Sequence, residues 1–197
     1  MQIRIILTLF VIFVFITTPL LSQISKVEKQ DFITAKGMFD DQHYALAISQ
    51  LEQFLEKYPK SAFSEEAHFM TAESYYLLGS YESAVQLFEI HQNRFPNGAF
   101  AGDALFREGL CYYQIQNNLK AIRKLQQFII NYPKHELVSE AHYWIGECYY
   151  KNNNLDSAEQ SYQKCIREYP GAEIKPYAFY SLGWIYQYKE ENQIFHD

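Results

Sequence analysis

Residues 109–133 read GLCYYQIQNNLKAIRKLQQFIINYP and residues 146–170 read GECYYKNNNLDSAEQSYQKCIREYP. The two stretches lie 37 residues apart and share Gly, Cys-Tyr-Tyr, an Asn-rich centre, one Ala and a closing Tyr-Pro. The closing pair recurs through the chain as Tyr58-Pro59, Phe95-Pro96, Tyr132-Pro133 and Tyr169-Pro170, at the same interval of 37. Other columns keep phase. A small residue stands at Ala35, Ala72, Gly109, Gly146 and Gly183, and twelve positions later at Ala47, Ala84, Ala121 and Ala158. Tyr75, Tyr112, Tyr149 and Tyr186 share a column, with Met38 in the first unit, and Leu51, Phe88, Leu125 and Tyr162 share another.

Each column has a physical reason. Antiparallel helices pack with axes about 8–10 Å apart, and only small side chains reach the near end of that range. The Gly/Ala and Ala columns predict such a crossing, with the large column filling the space beside it. Proline lacks an amide hydrogen and ends the second helix. Between the helices lie Asp40-Asp41-Gln42, Leu78-Gly79-Ser80, Gln116-Asn117-Asn118 and Asn152-Asn153-Asn154, where Asn and Gly tolerate the left-handed backbone that closes a helix. The expected fold is therefore all-α, a stack of helix–turn–helix hairpins that cannot bury their apolar faces singly. The units run 23–59, 60–96, 97–133 and 134–170. An incomplete fifth, 171–197, is either a capping helix or the start of a further repeat, since Phe195 stands where a second helix would need Ala.

Bulk composition agrees. Of 197 residues, 48% are hydrophobic, enough for a packed core, and only 8 Gly and 6 Pro are present, few for a fold rich in tight turns. The formal net charge is -6 with no basic run, which excludes a phosphate-binding surface for nucleic acid. Cys111, Cys148 and Cys165 lack CxxC spacing, so they are expected as buried small hydrophobes, or as one disulfide (Cys148–Cys165 or Cys111–Cys148) with one free thiol. His43, His68, His91, His135, His142 and His196 form no metal motif; they are expected as surface or partly buried structural residues. No nucleophile motif or phosphate-cradling loop is present. The expectation is no catalytic residue, no metal and no cofactor.

Met1 to Arg4 carry one positive charge, Ile5 to Ile16 are apolar, and Pro19 precedes Leu20-Leu21-Ser22-Gln23. This order predicts a secretory signal peptide over 1–22 with cleavage after Ser22. The alternative is an uncleaved anchor, because Ile5–Leu21 reaches the lower limit of a bilayer span.

At its small, Tyr, Ala, large-aromatic and Pro columns, the sequence resembles the tetratricopeptide repeat (TPR) over residues 23–188. Family units usually run 34 residues, and the extra three here follow the proline, as in Pro59-Lys60-Ser61-Ala62-Phe63. The long-loop form resembles bacterial envelope repeat proteins, such as the BamD-like component of outer-membrane assembly and Tol-associated cell-division coordinators. The former are lipoproteins, and no Cys stands at the cleavage region here. The resemblance implies a right-handed α-solenoid and a non-enzymatic scaffold in the periplasm or at the outer membrane. It would bind other envelope proteins or peptides, touching membrane through a partner or through an uncleaved amino terminus. The alternative is a membrane-anchored structural subunit of an inner-membrane complex.

In this family the first helix of each hairpin lines the concave surface. At about 100° per residue, two aromatic columns flank its buried stripe: Phe32, Phe69, Phe106, Tyr143 and Tyr180, and Phe39, Tyr76, Tyr113 and Tyr150. Trp184 lies between them, in the column of Lys36, Glu73, Leu110 and Glu147. Together these aromatics are the candidate partner-binding face, as rings give large contact area at small entropy cost. The same spacing also suits rings that pack helix on helix between units.

Overall fold

The computed structural model describes residues 26–194, with side chains described through 191; the expected leader, 1–22, and Phe195 lie outside them. Among the described residues every regular element is an α-helix and none is a strand. They are α1 (26–40), α2 (Tyr44–Lys57), α3 (Ser64–Leu77), α4 (Tyr81–Arg94), α5 (Ala101–Gln114), α6 (Asn118–Asn131), α7 (Val138–Lys151), α8 (Leu155–Glu168) and α9 (Lys175–Ile194). The starts of α3, α5, α7 and α9 are 37 residues apart, and so are those of α2, α4, α6 and α8. The sequence period is thus a period of helix placement.

The punctuation is regular in its geometry. The residue before each proline, Tyr58, Phe95, Tyr132 and Tyr169, leaves the helix at φ between -130° and -128°, because the proline ring excludes the α conformation from its predecessor. In three units its ring folds back on the residue four earlier, with centroids 5.2 Å apart for Phe54–Tyr58, 5.3 Å for His91–Phe95 and 5.9 Å for Phe128–Tyr132. In the hairpin turns, Gln42, Gly79, Gln116 and Asn153 stand at one register and all have φ between 57° and 76°. Gly and Asn were expected there; Gln42 and Gln116 take the same conformation at a cost of roughly 1 kcal/mol each. Backbone bonds across the turn hold them, such as His43 N–H to the Met38 carbonyl and Asn117 N–H to the Tyr112 carbonyl, both 2.8 Å.

The chain divides into two compact units, 1–74 and 75–197, with the boundary inside α3. In the first, Phe32 and Ala35 from α1, Ala47, Leu51 and Phe54 from α2, and Ala67 and Met70 from α3 form one core. Phe32 stacks on Phe63 at 4.6 Å. The Asp31 carboxylate accepts from Lys57 Nζ at 2.8 Å and from the Tyr58 hydroxyl at 2.9 Å, tying α1 to the end of α2. These hydrogen bonds, Lys57's first, hold its pKa below the usual carboxylate value.

In the second unit the helices pack in chain order, α4 on α5 and so on to α8 on α9, and α5 also touches α7 across the helix between them. Two stacked hairpins, α5–α6 and α7–α8, repeat one core. Ala121, Leu125 and Phe128 are fully buried in the first, and Ala158, Tyr162 and Cys165 in the second. Each large apolar side chain buried this way stabilises by roughly 1.5–3 kcal/mol relative to exposure. Asn117 and Asn154 cap α6 and α8, their side-chain oxygens accepting from Lys120 N–H and Ser157 N–H. Helix α9 continues the pattern as a single helix with no second helix after it among the described residues. Cys111, Cys148 and Cys165 form no disulfide, which sets aside the bridged alternative, and all three are fully buried. Burial pushes the Cys148 thiol up to about 12 and Cys165 up to about 11, so both stay protonated and unreactive.

Candidate functional site

The first helices of the hairpins carry the ten candidate residues, and the structure sorts them by depth. In the first unit, Phe32 is only 4% exposed and belongs to the core. Phe39 is half-buried against that core, edge-on to Tyr44 at 5.7 Å, and Phe69 is half-buried on α3. In the second unit, Phe106 is 1% exposed and packs on Phe128 at 5.4 Å. Phe32 and Phe106 therefore present no ring to a partner, which corrects their place on the expected binding face. A periodic column fixes the direction of a side chain but not what covers it.

The remaining rings of the second unit form a graded series. Tyr76 lies under the Arg107 guanidinium, 5.3 Å from its centroid. Tyr113, 9% exposed, packs against Trp144 at 4.9 Å and beneath Lys151 Nζ at 3.9 Å. Tyr143 sits edge-on to Trp144 at 5.3 Å and against Tyr162 at 5.9 Å. Arg107 stands 31 positions after Tyr76, as Trp144 does after Tyr113. Tyr76 and Tyr113 are thus each covered by one position of the next hairpin, a cation in one case and an indole in the other. Tyr150 finds Ser181 at the equivalent position, a side chain too small to cover it, and it stays 44% exposed.

Aromatic exposure is greatest on α9. Tyr177, Tyr180, Trp184 and Tyr188 recur at helical spacing and form one stripe; Tyr180 is 68% exposed and Trp184 50%, with their centroids 6.1 Å apart. The Ser181 hydroxyl donates to Glu147 Oε1 at 2.9 Å, which ties α9 to α7 beside the stripe. The buried Tyr162 hydroxyl donates to the same oxygen at 2.7 Å, leaving Glu147 a structural acceptor. Burial pushes the Tyr113 and Tyr143 phenols up to about 12, so both rings stay uncharged beside the Lys151 and Arg107 cations and the Glu147 carboxylate. Such a surface offers large apolar contact with polar tips. Trp144 and Arg107 belong to it and were not anticipated, because their column runs Ile33, Met70, Arg107, Trp144, Ser181 and shows no common chemistry.

Two histidines lie deeper than the sequence suggested, His91 fully buried and His142 6% exposed, while His43 is exposed and His68 and His135 are half-buried, as expected. No group of three His, Cys, Asp or Glu among the described residues is arranged to hold a metal ion. No helix among them is long and apolar enough to cross a membrane.

A sequence profile for the tetratricopeptide repeat matches residues 38–99 and 106–173. Among solved structures, the chain is similar to MamA (residues 41 to the end) from Desulfovibrio magneticus RS-1, with a TM-score of 0.69 and 20% identity over 85% of this chain and 88% of that one. Another MamA crystal structure aligns with a TM-score of 0.65 and 21% identity over 79% and 84% of the two chains. A tetratricopeptide repeat protein from Parabacteroides merdae ATCC 43184 aligns with a TM-score of 0.68 and 17% identity over 86% of this chain and 64% of that one. At these identities the likeness is one of fold. No curated protein matches the sequence.

Proposed function

The chain belongs to the tetratricopeptide repeat family, a fold of protein–protein interaction scaffolds, and from that premise we propose that it is a non-enzymatic scaffold of the bacterial cell envelope. It holds partner proteins or peptides on the aromatic face of its first helices and acts in outer-membrane or envelope assembly. The observation that carries the reading is the exposed series Tyr150, Tyr180, Trp184 and Tyr188. Large contiguous apolar surface is costly to leave in water and marks interaction sites. Aromatic residues are the commonest anchors of such sites, because few rotamers are lost when they are covered. Binding is by shape and apolar contact, with no cofactor.

The envelope address rests on the charged start, the apolar run Ile5–Ile16 and Pro19 before Ser22. The mature chain is then expected to begin at Gln23 and to be found in the periplasm or on the periplasmic face of the outer membrane; an amino terminus at Met1 would support the anchored alternative.

Tyr150→Ser with Trp184→Ser is the direct test. Both side chains are exposed, so melting is expected to be unchanged. Partners retained by the wild-type chain in envelope extracts are expected to bind about tenfold more weakly, the value of one well-placed anchor. Equal retention of all of them by the double variant would remove the aromatic face from the function.

A further inference from the structure

Helix α9 carries a seat for a second helix. In the preceding hairpin, four columns of α7 meet α8 or the residue that ends it. His142 lies against Tyr169 at 5.9 Å and Tyr143 against Tyr162 at 5.9 Å. A Cβ on Gly146 would strike Tyr162, and Tyr149 packs on the core of Ala158, Tyr162 and Cys165. The same columns of α9 hold Phe179, Tyr180, Gly183 and Tyr186. Here the three rings are between 46% and 68% exposed, and a Cβ on Gly183 would meet nothing within 4 Å. Pro176, Gln187 and Glu190 lie along the same side and are exposed as well. The seat is held in shape from behind: the Tyr186 hydroxyl accepts from the Gln163 amide at 3.0 Å and donates to Glu159 at 3.1 Å, both on α8.

Symmetry, charge and area narrow the occupant. A central glycine lets two helices approach to about 8 Å, and α9 is itself such a helix. At about 100° per residue, two copies of α9 paired antiparallel about Gly183 set Phe179 of each beside Tyr186 of the other, and Tyr180 beside Gln187. Lys175, at the start of the helix, then faces Glu190 near its end, twice over. A parallel pairing would set Lys175 on Lys175. Lys189 does not blunt the acidic end, because Asp156 and Glu159 of α8 hold it. The open parts of Phe179, Tyr180, Trp184 and Tyr186, about half of roughly 200 Å² each, supply roughly 400 Å² per copy. With Pro176, Gly183 and Gln187 between them, a pair buries about 1,000 Å² in total, the low end of specific interfaces. Helix α1 offers no such seat for a head-to-tail contact. Its exposed Gln30 stands in the column of the buried Ala67, Ala104, Ala141 and Ala178, and covering that amide without a partner is unfavourable. A contact of α9 with α9 closes on two copies, whereas a head-to-tail one would grow into a filament.

We propose that the chain forms a weak, reversible homodimer through antiparallel α9 helices that cross at Gly183. The seat borders the aromatic face at Tyr180 and Trp184 but requires no envelope partner, so it stands or falls separately from that reading.

The test is sedimentation equilibrium of the full chain, as the cell processes it, over a range of concentrations up to about 1 mM. A monomer–dimer equilibrium is expected, with Kd on the order of 100 µM for an interface of this size. Gly183→Arg adds its side chain at an open position, so the melting curve of the dilute chain is expected to be unchanged and the dimer to weaken by at least about tenfold. Lys175→Glu and Glu190→Lys are each expected to weaken the dimer by about threefold, and the two together to return it toward wild type, because the pair is restored with its signs reversed. The variants are read by self-association alone, with no envelope partner present, so loss of the dimer and loss of partner capture are scored independently. A chain that stays monomeric at the highest concentration overturns the proposal and leaves the seat to a different chain. A dimer that Gly183→Arg leaves intact, or a double charge variant no tighter than the single ones, overturns it as well.

Discussion

Lys124→Met is expected to lower the stability of the 75–197 unit by about 3 kcal/mol, far more than a half-buried lysine on a repeat protein ordinarily contributes. The reason lies in its partner. Glu108, on α5, is fully buried, and Lys124 Nζ from α6 stands 2.7 Å from its Oε1. The Gln92 amide from α4 donates to Oε2, and the Glu89 carboxylate nearby, which accepts from Tyr112, repels it. Burial is the largest influence and pushes the Glu108 carboxyl above its usual pKa, while Lys124 and then Gln92 pull it down. Removing the ammonium leaves burial unopposed.

The sign with pH follows. A carboxyl whose folded pKa is raised binds its proton more tightly when folded, so it favours folding at low pH and loses that contribution as pH rises. Lys124→Met is thus expected to lie close to wild type near pH 5 and well below it at pH 7.5, measured by chemical denaturation at both. Adding Glu108→Gln is expected to recover most of the loss, since a neutral amide needs no counter-ion. A single variant within 0.5 kcal/mol of wild type at pH 7.5 would show that α4, α5 and α6 are not joined through this pair.

Gly146→Ala is expected to destabilise by about 2 kcal/mol, although alanine is the better helix former by about 1 kcal/mol. A Cβ built on Gly146 would lie 2.5 Å from Tyr162 Cε1 and 2.7 Å from Cδ1. Tyr162 is fully buried and its hydroxyl is held by Glu147, so the ring cannot swing aside without breaking a buried bond. Gly183 stands 37 residues later in the same column, and a Cβ there would meet nothing within 4 Å. Gly183→Ala is therefore expected to be neutral or to stabilise by up to about 1 kcal/mol. Opposite signs in paired thermal melts would confirm that the small-residue column is a helix crossing wherever a second helix is present. The same sign at both positions would contradict it.

That column was legible in the sequence, as were the period, the helix-ending prolines and the register of the turns. Each is a local requirement, a missing Cβ, a missing N–H or a reversed φ, and a repeat states it several times over. Coverage was not legible. Phe106 and Tyr180 occupy one column, yet the first is sealed in the core and the second is open to water, because Phe128 of α6 packs on the first and no second helix follows α9 among the described residues. The Glu108–Lys124 pair escaped for the complementary reason: the column of Glu108 holds Thr34, Thr71 and Ile145, so no repetition announced it. Arg107 and Trp144 share a position and a task, covering a tyrosine, with no chemical likeness that a pattern would catch.

The proposed function has partners meeting this protein on the aromatic face of its first helices. Photo-crosslinking in the native cell tests it most directly, with p-benzoylphenylalanine placed at Tyr150 or Trp184 and, for contrast, at the exposed second-helix positions Gln86 or Arg123. Discrete protein adducts are expected from positions 150 and 184 and none from 86 and 123. Adducts confined to the second-helix positions, or spread evenly over all four, would contradict it.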